Sequence, residues 1–150
     1  MFRWCPKLGL DSSRKIEEHF LKIILLLQTI LLIPVHQPRH WCLAVIDFRR
    51  MSLRYDDSMG NPNPLCCRLL IDFIKKECED KKSADFDFSG WTCRSPLDMP
   101  RHTNSCDCGV FICQYAEYLS RRAPLNFSEY DMPYFRRRMM FEMITGSILT

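Results

Sequence analysis

A chain of 150 residues has room for one domain or part of one, and 47% apolar with 12% aromatic residues can bury an ordinary core, which excludes a disordered chain. A net charge of +3 is too mild to point to nucleic acid on its own. The nine cysteines form an odd, irregularly spaced set that includes the adjacent Cys66 and Cys67, and no signal peptide opens the chain. A secreted disulfide framework does not fit such a set, and a reduced, intracellular protein is expected.

Asp11-Ser12-Ser13 predicts a helix cap, followed by Ile16, Phe20, Ile23, Ile24 and Leu27 at helical spacing. The most apolar stretch, Ile23 to Val35, falls short of the roughly 20 residues that cross a bilayer. Gln28 and Pro34 also interrupt it, so it reads as a buried helix and then a buried strand, with no membrane partner. A β-rich run from Trp41 to Phe48 leads through Arg49-Arg50 into a strand over Ser52 to Asp56. After a Gly60-to-Pro64 loop, Leu65 to Cys78 is amphipathic, with Leu69, Leu70, Phe73 and Ile74 on its apolar side. A short strand is expected near Trp91 and a polar loop over Ser95 to Ser105. Helices from about Cys108 to Leu119 and about Met132 to Ile144 close the chain. Strands in the middle flanked by helices give an α+β class.

Cys108 falls where loop gives way to helix, ahead of an apolar face of Phe111, Ile112, Tyr115, Ala116 and Leu119. Unpaired N–H groups and the helix dipole at such a position favour thiolate, the species a cysteine nucleophile needs. His40 opens a strand, a rigid support for a general base. If that strand pairs with the next as a hairpin, Asp57 comes beside it, where a carboxylate fixes the imidazole tautomer. Each residue has a plainer reading: Cys108 as one of nine small apolar side chains, Asp57 as a turn carboxylate, His40 as a surface histidine. No single residue decides between them. His36 reads as structural. A metal module would use His36, His40, Cys106, Cys108 and Cys113, but the paired spacing of zinc sites is absent and no metal or other cofactor is expected.

The residues in conjunction resemble a known family. His40-Trp41-Cys42-Leu43-Ala44-Val45-Ile46-Asp47-Phe48 is similar to the HWxLxVxDF strand of the SUMO-specific (sentrin-specific) proteases. Tyr55 to Gly60 resembles their YxDSMG segment, and Asp107-Cys108-Gly109-Val110-Phe111 their DCGxF segment. Met132 to Met139 resembles the MPYFRxRM helix of the animal enzymes of the one/two type, and Cys5-Pro6-Lys7-Leu8 echoes an earlier segment. Order and spacing match from about residue 34 to 150.

This resemblance implies a papain-like α+β cysteine protease fold, N-terminally truncated, with a central, mostly antiparallel sheet flanked by helices. Residues 1–150 would form a partial catalytic domain that begins inside the family's own, without its N-terminal helices and one tunnel tryptophan. It implies a thiol hydrolase that cleaves after the C-terminal Gly-Gly of SUMO precursors or of SUMO–lysine conjugates. His40 would be the base, Asp57 its orienter and Cys108 the nucleophile, with Trp41 walling the Gly-Gly tunnel. SUMO and its conjugates would be the partners of a monomer in the nucleus, the cytoplasm or both. Two departures qualify this. His102 occupies the place of the family's oxyanion glutamine, and Ser105-Cys106 replaces a more usual Gly-Ser. A truncated relative that binds SUMO or another ubiquitin-like protein without efficient cleavage therefore stands as the alternative.

Overall fold

The structure, a computed structural model, describes residues 30–80 and 88–149. The expected N-terminal helix lies outside the described residues. Three strands run consecutively, β1 (Ile30–Gln37), β2 (His40–Asp47) and β3 (Ser52–Asp56), followed by α1 (Pro64–Asp80) and β4 (Thr92–Arg94). Helices α2 (Cys108–Ser120) and α3 (Met132–Thr145) follow, the latter preceded by a 3₁₀ turn at Glu129–Asp131. The strands form one sheet in the order β1-β2-β3-β4, antiparallel except for the parallel pair β3–β4.

Side-chain alternation on β2 builds both layers of the core. Leu43 and Val45 face α2 and α3, packing with Val110, Phe111, Tyr115, Met132 and Phe135. Cys42 and Ile46 face the other way, joining Leu53 and Tyr55 of β3 and Cys67 and Ile74 of α1. The sheet is thus covered on both faces, and β2 is its most buried strand. β1 is only partly buried and lies at the sheet edge, not in the interior as its apolar run suggests. That edge place accommodates Pro34, which has no N–H to give a second neighbour.

Two turns position the site. Pro38 and Arg39 close the β1–β2 hairpin, with Gln37 opposite His40, so His40 begins β2 at the sheet's end. The Asp47 carboxylate accepts the N–H groups of Arg49 and Arg50, each at 3.1 Å, and turns the chain from β2 into β3.

Two readings need correction. The stripe of α1 that packs inward is Cys67, Leu70, Ile71 and Ile74, whereas Leu69 and Phe73 are exposed. The helix carries apolar residues around more than one face, and the packing of Cys67 under β3 selects which face is buried. The cysteines are also not all reduced: Cys67 of α1 and Cys93 of β4 form a disulfide, their Cα atoms 6.4 Å apart. The parallel pairing of β4 with β3 brings Cys93 to the buried Cys67 in the first turn of α1. Closing a loop of this size stabilises a fold by about 3 kcal/mol. Cys93→Ser is therefore expected to lower the unfolding free energy by about that much in denaturant titrations under oxidising conditions. It should make no difference under reducing ones. Among the described residues no helix is long and apolar enough to cross a membrane.

Candidate active site

The tandem Asp56-Asp57 closes β3, and the two carboxylates point to different partners. Asp56 is fully buried and pairs with Arg54, whose Nε and Nη2 lie 3.2 and 3.1 Å from Oδ1. Burial raises its carboxyl to about 6, with Arg54 opposing the rise. Asp57 turns to His40, with Nε2 and Oδ1 2.6 Å apart. It also accepts the N–H of Met59 at 2.8 Å and that of Asn61 at 3.2 Å. Burial works against the Asp57 anion. The Met59 N–H, the bond and charge of His40 and the Asn61 N–H outweigh it, holding the carboxyl below the usual carboxylate range. The turn that supplies these N–H groups passes through Gly60 at φ +81°, a conformation that favours glycine, and a Cβ there would meet the Arg101 guanidinium at 2.6 Å.

A carboxylate can only accept, so His40 carries its proton on Nε2 and its Nδ1 is left for another partner. Cys108 is the first residue of α2, which packs across β2. It is 7% exposed. His40 and Asp57 meet at one end of the sheet, and the helix headed by Cys108 packs on β2 through Val110 and Phe111. Burial, followed by the charges of Asp57 and Cys108, pushes the Cys42 thiol up to about 12, against a hydrogen bond from Tyr55. Burial also raises the thiols of Cys66 and Cys113. His40, Cys42 and Asp57 offer donor atoms within 4.8 Å of one another. Two of these are already bonded to each other, and the third is a fully buried thiol that resists ionisation.

His102 is buried and both of its ring nitrogens are occupied. Nδ1 lies 2.8 Å from the Asn104 carbonyl, which can only accept, so Nδ1 carries the proton. Nε2, 3.0 Å from Ser58 Oγ, then accepts from that hydroxyl. The His102 N–H also donates to the Ser58 carbonyl at 3.2 Å. Its ring packs on Phe111 with centroids 5.1 Å apart and stands 6.3 Å from the ring of His40. His102 thus fastens the loop before Cys108 to the residue after Asp57. Trp41 is partly buried at the start of β2, with the ring of His36 4.5 Å away across the hairpin. His36 is a packing partner there and does not reach the His40–Asp57 pair.

A helix headed by Cys108, packed on a sheet whose end carries the His40–Asp57 pair, gives this chain an α+β fold of the papain-like protease type. Residues 15–148 match the Ulp1 protease family, C-terminal catalytic domain, and the chain belongs to that family. The match begins well before residue 34, where the recognisable motifs start. The chain is 36% identical over 146 residues to sentrin-specific protease 2 of Homo sapiens, covering 96% of this chain and 25% of that protein. It is 41% identical over 120 residues to a sentrin-specific protease of Caenorhabditis elegans, covering 80% of this chain and 17% of that one. It is also similar to the C-terminal Ulp1 protease domain solved in complex with Smt3, the yeast ortholog of SUMO. The TM-score there is 0.72 at 27% identity, over 89% of this chain and 59% of that one. The chain spans a quarter or less of the length of these curated relatives.

Proposed function

We propose that this chain carries the catalytic centre of a SUMO-specific cysteine protease. It would cleave after the C-terminal Gly-Gly of SUMO precursors or of SUMO–lysine isopeptide bonds. The observation that carries the reading is the 2.6 Å bond between His40 Nε2 and Asp57, which leaves Nδ1 as the basic atom at the end of β2, the strand on which the helix headed by Cys108 packs. In this reading the Cys108 thiolate attacks the carbonyl carbon of the terminal glycine while His40 holds the thiol proton. The oxyanion takes the Cys108 backbone N–H. His40 then gives the proton to the departing amine, leaving a thioester that water, deprotonated by His40, hydrolyses. Asp57 stabilises the imidazolium in both halves of the cycle, and Trp41 lines the passage for the Gly-Gly tail. SUMO is the proposed partner, by likeness to relatives named for it, and the nucleus or cytoplasm the proposed compartment.

Binding without efficient cleavage is the second reading, favoured by the occupied ring nitrogens of His102. Incubation with a SUMO C-terminal fluorogenic amide tests the two. Wild type, alone or joined to the preceding segment of a relative's catalytic domain, is expected to release the fluorophore, and Cys108→Ala to release none. Equal release from the Cys108→Ala protein would sink the protease reading. SUMO binding with no release from the joined wild type would establish the second one.

A further inference from the structure

Asp107 stands immediately before the nucleophile, at the N-cap of α2. A carboxylate in that place ordinarily turns back onto its own helix and accepts an N–H of the second or third residue, here Gly109 or Val110. Asp107 makes no such bond. Its Oδ1 instead accepts Arg136 Nε at 3.2 Å and Arg136 Nη2 at 2.5 Å, and its Oδ2 accepts Asn104 Nδ2 at 2.7 Å. The same Arg136 nitrogen donates to the Cys106 carbonyl at 2.8 Å. Arg136 projects from α3, whose Met132 and Phe135 are buried in the core, so its stem has a fixed base. Asn104 is held in turn, its Oδ1 accepting the N–H groups of Cys106 and Asp107 at 3.0 Å each.

We infer that Arg136 is a positioning residue for the chemistry at Cys108, because it draws the Asp107 carboxylate off the head of α2. The inference rests on Cys108 being the nucleophile. Two things follow from the carboxylate's displacement. The Gly109 and Val110 N–H groups are not filled by a side chain, so the positive end of the helix stays available to the anion that the Cys108 N–H receives. A negative charge that would oppose both thiolate and oxyanion is also held away and neutralised. Without Arg136 the nearest good donors for Asp107 are those same N–H groups. The helix would gain a cap and the site would lose its anion-stabilising end. The damage would then act through Asp107, and removing Asp107 as well should undo part of it. A merely structural arginine has no such dependence.

The test compares wild type, Arg136→Leu, Arg136→Lys, Asp107→Ala and the Arg136→Leu/Asp107→Ala double variant. Three quantities are read: the rate of iodoacetamide capture of Cys108, backbone amide exchange at Gly109 and Val110, and kcat and KM wherever SUMO cleavage is measurable. Arg136→Leu is expected to slow capture by roughly 10-fold, to slow exchange at those two amides, and to lower kcat with KM little changed. The double variant should capture faster than Arg136→Leu alone. Arg136→Lys, which keeps the charge, should lie between wild type and Arg136→Leu, and it replaces the leucine variant should that one fail to fold. Unchanged amide exchange in the arginine variants, or a double variant no faster than the single, overturns the inference, as does failure of both arginine variants to fold. Capture and exchange need no SUMO cleavage, so a chain that cleaves nothing in any form would sink the protease reading without deciding this one.

Discussion

Replacing His102 by glutamine is expected to raise turnover of a SUMO fluorogenic amide by up to roughly 10²-fold, the scale of one oxyanion donor. The motif resemblance implies glutamine at that position in the family. In this chain the neutral histidine donates through Nδ1 to Asn104 and accepts through Nε2 from Ser58, so no ring N–H remains for an oxyanion. Protonation does not release one, because the new Nε2–H would face the same Ser58 hydroxyl. A glutamine amide has two N–H donors and does not titrate, so it can keep one loop contact and still offer a donor. The change also removes a clamp. Losing one of the ring's two bonds is expected to lower stability by about 1 kcal/mol. A gain in kcat despite a lower melting temperature would be the signature. The comparison should run wild type, His102→Gln and Cys108→Ala, each alone and joined to the preceding segment of a relative's catalytic domain. If the joined protein with His102 unchanged already cleaves as fast as that relative, the oxyanion argument is wrong.

The second large effect is the loss of His40. His40→Ala is expected to lower turnover by about 10²–10⁴-fold, the usual contribution of a positioned general base, and to slow alkylation of Cys108. Cys42, Cys66 and Cys113 are poor competitors in that experiment because burial opposes their ionisation. Cys106 is exposed and two residues from Cys108, so peptide mapping must separate the two. The Asp57 variants add a finer check. Asp57→Asn keeps an acceptor oxygen for the Nε2–H and loses only the charge, whereas Asp57→Ala loses both. A smaller loss for asparagine than for alanine is expected from the geometry at His40. Unimpaired Cys108 labelling in His40→Ala would remove the imidazole from the mechanism.

Much of this arrangement was readable in the chain itself, for identifiable reasons. β2 is a continuous apolar run and a short turn capped by Asp47 joins it to β3, so their register, and with it the approach of Asp57 to His40, follows from local chemistry. The loop-to-helix change at Asp107-Cys108 is equally local. What escaped depends on packing between distant segments. Leu69 and Phe73 look as buriable as Leu70 and Ile74 until α1 is seated on the sheet. The Cys67–Cys93 pairing needs the parallel β3–β4 contact, which no periodicity announces. The partners of His102 come from residues 58 and 104, and those of Asp107 from residues 104 and 136. The motif letters place such residues side by side in text but are silent about which hydrogen bonds they spend.

The disulfide also divides the chain in a particular way. His40 and Asp57 precede Cys67, and Cys108 follows Cys93, so the bond joins the half that would hold the proton to the half that would attack. A backbone cut anywhere between those two cysteines would leave two pieces, neither with a complete set of reacting groups. The sulfur bridge would still keep them one molecule, and after reduction only the packing of β2 on α2 and α3 and the β3–β4 pairing would hold thiol and base together.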